Sequence, residues 1–383
     1  MTTAIRKFLI LLMTGLCCLQ HAQSHTLTCT AINSDTTPSS STTTNGALLD
    51  IDATTYFRDA EYLSPFCTGS TYPGFRLTPT LLYQPDSQFT IQAGIMLNCI
   101  AGVHGIYQWA PTLSIQYRPA PWISLAVGSF STSSHHLESP LISSERWFTT
   151  PTEGGFRLTT GLKRWQSETW LDWEHFLVPW TEDQEIFNAG TVHQLTLFHS
   201  HTDNQLFLQG AYLVRHHGGE LTTLDTIVET IYNQMFSLNL RHTLEPSDTI
   251  LIKLPIYFFQ NPLDGIRSTH YQDGWGIHPQ ITLTTPLSTK NNWSLVSTLG
   301  FWRGHQWEAP LGDYLFQSVS MYRPDAFDPS RRMITFGAYL TQKKPQFQFQ
   351  LETQLFYDIE YHNLDLLVGL YLKFHHTTPL ARR

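Results

Sequence analysis

Charge is scarce in this chain. Asp, Glu, Lys and Arg together make up 14% of its 383 residues, against roughly 25% in ordinary soluble domains. A chain this long could form two such domains or one large β architecture, and so little charge favours the second. Long hydrophobic runs are missing too. Beyond the first 24 residues nothing approaches the roughly 18 consecutive apolar residues of a membrane helix, so any membrane role must run through strands. The Lys and Arg residues are scattered and the net charge is -8, which excludes nucleic acid as a partner. Glycine-rich phosphate loops and nucleophile elbows are absent as well. Cysteine is sparse, with Cys29, Cys67 and Cys99 the residues beyond the leader.

What is present begins with an address. Arg6 and Lys7 precede an apolar run from Phe8 to Leu19, and Ala22-Gln23-Ser24 supplies small residues for cleavage, so residues 1–24 read as a signal peptide. Cys17 and Cys18 lack a convincing lipoprotein box. Residues 25–46 include a Ser- and Thr-rich stretch that cannot bury apolar surface and read as a flexible periplasmic lead-in. No second composition shift or repeat follows, so 47–376 reads as one domain and 377–383 as a periplasmic tail.

The main pattern has a period of two, which sends successive side chains to opposite faces of a strand. Phe347, Phe349, Leu351, Thr353, Leu355, Tyr357, Ile359 and Tyr361 share one face; Gln346, Gln348, Gln350, Glu352, Gln354, Asp358 and Glu360 share the other. Leu366, Val368, Leu370, Leu372 and Phe374 repeat the apolar face. Runs of roughly 9 to 15 residues suffice to cross a bilayer at a tilt, whereas sandwich strands are mostly shorter. Short turns alternate with longer loops, as in barrels with short periplasmic turns and long outer loops. The expectation is an all-β, transmembrane, antiparallel up-and-down β-barrel of about sixteen strands in the cell outer membrane, with Tyr314 to Tyr322 inside the seventh outer loop.

On this pattern the chain resembles the outer-membrane porin class over essentially its whole mature length. Gly369-Leu370-Tyr371-Leu372-Lys373-Phe374 is similar to the terminal signal read by the barrel assembly machinery, although Leu367 replaces a polar residue and residues continue beyond Phe374. The resemblance implies contact with outer-membrane lipid and the assembly machinery, passage of small hydrophilic solutes, and a homotrimer as one assembly. It also implies a third outer loop folded into the lumen, where Glu138, Glu145, Arg146 and Glu153 would line a constriction. The longer seventh loop is the competitor for that role.

Arg76, Arg118, Arg157, Asp172, Glu174, Lys253, Glu352 and Asp358 are expected as lumen-wall charges. Cys67 and Cys99 lie near each other in barrel order and form a candidate disulfide, with unpaired thiols as the alternative. The histidine pairs His135-His136, His216-His217 and His375-His376 are read as loop or tail residues without metal-ligand spacing. Asp172 and Glu174, with Glu182, Asp183 and Glu185 above them, are the carboxylates a rim hydrolase would need; solvated wall charges are the plainer reading. The functional expectation is a diffusion pore and not an enzyme, with no cofactor. A plugged receptor or adhesin, or a rim hydrolase, remains the alternative.

Overall fold

The structure, a computed structural model, describes residues 46–132, 135–176, 184–200, 204–218, 228–244, 248–264, 267–323 and 325–380. The leader and nearly all of the lead-in therefore lie outside the described residues, as does Cys29. Successive antiparallel segments are β1 (Gly46–Glu61), β2 (Ser70–Gln84), β3 (Phe89–Ile100), β4 (Gln108–Ala120), β5 (Ile123–Ser131) and β6 (Thr152–Gly161). They continue with β7 (Trp165–His175), β8 (Ile186–His199), β9 (Gln205–His217), β10 (Glu229–Leu244), β11 (Asp248–Gln260) and β12 (Asp273–Ile277). The last are β13 (Gln280–Ser288), β14 (Trp293–His305), β15 (Ser330–Lys344), β16 (Phe347–Asp358) and β17 (Leu364–Pro379).

Apart from β12 and β13, which do not pair with each other, each strand pairs with its sequence neighbour, and β17 pairs with β1, which closes the sheet. Sixteen strands make the ring, in agreement with the expected count. The remaining segment, β12, pairs with β11 and β14 beyond the outer end of β13. The break falls at His278-Pro279, opposite Pro255 on β11, where both prolines lack the N–H that a continuous ladder needs. The ordered sheet starts at Gly46 and runs to Pro379, slightly beyond 47–376 at both ends.

Faces follow the period of two. Leu351, Leu370 and Leu372 are exposed on the outer wall, while Gln350, Glu352 and Tyr371 are buried inward. Phe57, Tyr83, Trp109, Phe347 and Tyr361 stand exposed near the strand ends, where amphipathic rings suit the lipid boundary. The packed core is inside the ring. Trp170, Trp302, Trp307, Leu315, Phe316, Met333 and Phe356 form one buried cluster with Leu141 and Cys67. Two wall glycines make room for the large rings: a Cβ at Gly190 would lie 2.2 Å from Trp170, and one at Gly276 2.3 Å from Trp302. Tyr314 to Tyr322 forms no strand; it contains a 3-10 turn at Tyr314–Phe316 within the seventh outer loop.

The Cys67–Cys99 disulfide does not form. Both thiols are free. Cys67 is buried in the interior cluster, whereas Cys99 follows Ile95 and Leu97 on the outward face of β3, so the barrel wall separates them.

Candidate functional site

The third outer loop folds into the lumen and is held there by charge. His135 lies between two carboxylates, with Nε2 2.6 Å from Glu153 and Nδ1 3.0 Å from Glu168. Its ring stacks on Trp170 at 3.7 Å between centroids. Burial opposes the imidazolium, but the hydrogen bonds to Glu153 and Glu168 outweigh it and raise the pKa to about 8. Glu138 accepts from Lys253 at 3.0 Å, Tyr257 at 2.7 Å and Gln280 at 2.9 Å. Burial alone would raise its pKa; the ammonium of Lys253 and these bonds hold it below the ordinary carboxylate value.

The short helix α1 (Arg146–Thr149) supplies the other anchors. Arg146 reaches Glu174 at 3.3 Å and Glu153 at 3.5 Å, and Tyr72 donates to Glu145 at 2.8 Å. Arg76 donates to the Trp147 carbonyl at 2.6 Å and lies over that indole, 3.7 Å from its centroid. The two loops expected to compete as the constriction pack as one unit. Ser143 N–H donates to the Leu311 carbonyl at 2.7 Å, and Asp313 N–H to the Ser139 carbonyl at 2.8 Å.

All eight expected wall charges point inward, and each is engaged with a neighbour. Asp172 accepts from Gly154 N–H at 2.9 Å, and Glu174 is shared by Arg146 and Arg215. Asp358 pairs with buried Arg331 at 2.6 Å, and Glu352 accepts from Gln350 at 3.3 Å. Arg118 donates to Gln116 at 2.8 Å, and Arg157 lies over the Phe130 ring. Asp172 and Glu174 are thus bound into an ion network rather than presented as a free acid–base pair. Glu182 and Asp183 lie outside the described residues. Beneath these two loops the lumen keeps a chamber of about 1010 Å³, lined by Asp50, Asp52, Arg76, Arg118, Arg157 and Lys373 among others.

The lipid-facing wall carries a different chemistry. On β9 the outward row Leu208, Gly210, Tyr212, Val214 continues to His216, and Thr230 is its partner on β10. His216 Nδ1 is 2.9 Å from Thr230 Oγ1, and its Nε2 is 3.1 Å from the Gly218 carbonyl. A carbonyl only accepts, so Nε2 carries the proton and Nδ1 is left to receive one from the hydroxyl. A second outward pair, Thr191 and His193, is 3.0 Å apart on β8. There the Thr191 hydroxyl donates to the Glu168 carbonyl at 3.2 Å, so the imidazole does not receive its proton.

The sequence reading missed His216 because His216-His217-Gly218-Gly219 looks like a loop. The signal was the outward period of β9, which runs on through residue 216.

A family model described as "Lipid A 3'-O-deacylase-type" matches residues 38–383. No curated protein matches. Among solved structures, a loop-deletion mutant of OmpT from Vibrio cholerae superposes with TM-score 0.52 at 7% identity, covering 86% of this chain and all of that one. OprD from Pseudomonas aeruginosa gives 0.52 at 9% identity, covering 88% and 95%. OprB from Pseudomonas putida gives 0.52 at 9%, covering 87% and 94%. These likenesses establish a porin-like outer-membrane β-barrel fold. The family model overturns one expectation outright: the chain was read as not being an enzyme, and the matching family is named for an enzymatic activity.

Proposed function

The chain belongs to the lipid A 3'-O-deacylase-type family, and from that premise we propose that it cleaves an ester-linked acyl chain from a membrane amphiphile at the outer rim of its lipid-facing wall. The observation that carries this reading is the Thr230–His216–Gly218 row, a hydroxyl, a base and an acceptor that fixes the tautomer of that base. Its depth suits the substrate. From Leu206 to His216 the outward face of β9 climbs roughly 25 Å at the usual barrel tilt, about the height of the apolar band of such barrels, which supports a rim position for the pair. Phe187 packs on His216 with 5.0 Å between ring centroids, and Trp173 packs on Phe187, giving an apolar flank for an acyl chain.

Thr230 Oγ1 attacks the ester carbonyl while its proton passes to His216 Nδ1. The alcohol leaves with that proton, and water, activated by the same nitrogen, frees the fatty acid and restores the threonine. The test is mass spectrometry of lipid A after incubation with purified protein in mixed micelles. Loss of one acyl chain is expected. Thr230→Val and His216→Asn should lower the rate by roughly 10²- to 10⁴-fold, and Thr230→Ser should retain it. Unchanged turnover in both variants would move the chemistry elsewhere.

A second reading is supported by the chamber: diffusion of small hydrophilic solutes along the lumen, gated by the plug of loops 3 and 7. Planar-bilayer conductance separates the two. Open steps from the intact protein support the pore, while silence with acyl release supports a plugged hydrolase.

A further inference from the structure

The periplasmic mouth of the lumen gathers three groups that ester cleavage at the outer rim does not use. Asp50 and Asp52 stand two residues apart on the inward face of β1, and His375 stands on the inward face of β17. In the register of those strands Asp52 pairs with His375 and Asp50 with Thr377, so the group sits on the seam where the first and last strands close the barrel. His375 Nδ1 is 2.9 Å from Asp52 Oδ1, and its Nε2 is 3.5 Å from Asp50 Oδ1. Thr377 donates its hydroxyl to Asp50. One ligand atom from each of Asp50, Asp52 and His375 falls within 4.8 Å of the others, the one such trio of His, Cys, Asp or Glu among the described residues. All three line the chamber, so dissolved ions can reach them.

We propose that Asp50, Asp52 and His375 bind a divalent cation that fastens this seam. Two carboxylates facing one imidazole carry a surplus of negative charge, and a cation binds there by taking the place of the imidazole proton that now faces Asp52. Lys373, the next inward cation on β17, interacts with Glu352 as well as Asp52 and so cancels only part of that surplus. One imidazole and two carboxylates suit zinc or manganese, with water or the Thr377 hydroxyl completing the set. Binding at a seam has a mechanical consequence. The ligands come from positions 323 residues apart in the chain, so a bound cation joins the two ends of the sheet and stabilises only the closed barrel. This inference stands whether or not the outer rim cleaves esters.

The experiment takes refolded full-length protein, His375→Gln and Asp52→Asn, strips each with EDTA, loads it with zinc chloride or manganese chloride, and counts retained metal after desalting. Wild type should hold one cation per chain more than either variant. At a metal concentration 100 times Kd its folded-to-unfolded ratio should rise about a hundredfold, read from heat-modifiable gel mobility; neither variant should respond. Equal retention in all three proteins, meaning adventitious binding by other histidines, overturns the proposal. A measurement without variants guards against misfolding: zinc should protect His375 of the wild type from carbethoxylation, read peptide by peptide, and equal modification with and without zinc overturns the site.

Discussion

His135 and His216 both come from His-His pairs, and the barrel wall puts them to opposite uses. His135 is enclosed in the lumen with both ring nitrogens donating to carboxylates, which keeps it cationic at neutral pH and unable to accept a proton. His216 faces the lipid boundary with one nitrogen fixed by a carbonyl and the other directed at a hydroxyl. The same side chain is a clamp in one setting and is placed to take a proton from a hydroxyl in the other. What distinguishes them is the partner on the second nitrogen, and the inward or outward turn of the strand decides which partner is met.

The sharpest way to break that comparison is to make both positions apolar. His135→Leu leaves Glu153 and Glu168 buried without their shared cation, and stranding buried charge typically costs about 3–5 kcal/mol. His216→Leu removes a half-buried hydrogen-bonding ring beside lipid and should cost no more than about 1.5 kcal/mol. Urea unfolding in detergent micelles measures both. Equal losses would mean that His135 is not the pin of the third loop.

The wall itself gives the next contrast. Leu351→Arg places a charge on the lipid face, at a cost of roughly 2–4 kcal/mol near the midplane. The same change at Thr80, which lines the chamber, meets water and should cost well under half of that. Heat-modifiable gel mobility after refolding reads the difference. Equal effects would exchange or erase the two faces.

pH sharpens the first comparison further. The folded-state pKa of His135 lies above its ordinary value of 6.5, at about 8. Its clamp is therefore fully present below about pH 6.5 and is lost as pH rises through about 8, a change on the order of 2 kcal/mol. Hydrogen exchange at amides of residues 135–151 should accelerate between pH 6.5 and 9 beyond the intrinsic chemical rate, and this added acceleration should vanish in His135→Gln. Protection that follows the intrinsic rate alone would show that the clamp does not depend on that proton.

Much of this architecture was legible in the sequence. The alternation of Phe347 to Tyr357 and of Leu366 to Phe374 gave the faces, and the rhythm of turns gave the number of strands, because both depend on local geometry that repeats every two residues. The union of loops 3 and 7 was not legible. It rests on backbone bonds such as Ser143 to Leu311, which no side-chain pattern encodes. The seam trio and the Thr230–His216 pair were missed for a related reason. Each joins residues that become neighbours only through register, which the alternation of a single strand does not fix. The proposed disulfide failed on the same point, since proximity in barrel order did not specify which side of the wall each cysteine faces.

The smallest expected effect separates two adjacent arginines on β15. Arg331 is fully buried, donates to Asp358 at 2.6 Å and to the Gln317 carbonyl at 2.8 Å, and lies over the Phe66 ring. Arg332 points the other way and pairs with Glu360 at the rim, with half of its side chain exposed. Water screens that pair and ordering two long side chains opposes it, so Arg332→Ala should cost about 0–1 kcal/mol. Arg331→Ala would strand Asp358 among buried groups and strip a ring and a loop carbonyl of their partner, which places it with His135→Leu at about 3–5 kcal/mol. A double-mutant cycle with Glu360→Ala isolates the rim pair. A coupling near zero fits an exposed ion pair, and a coupling above about 2 kcal/mol would mean that the rim is shielded from water as the lumen is, so that the inward and outward environments contrasted above are not distinct at this end of the barrel.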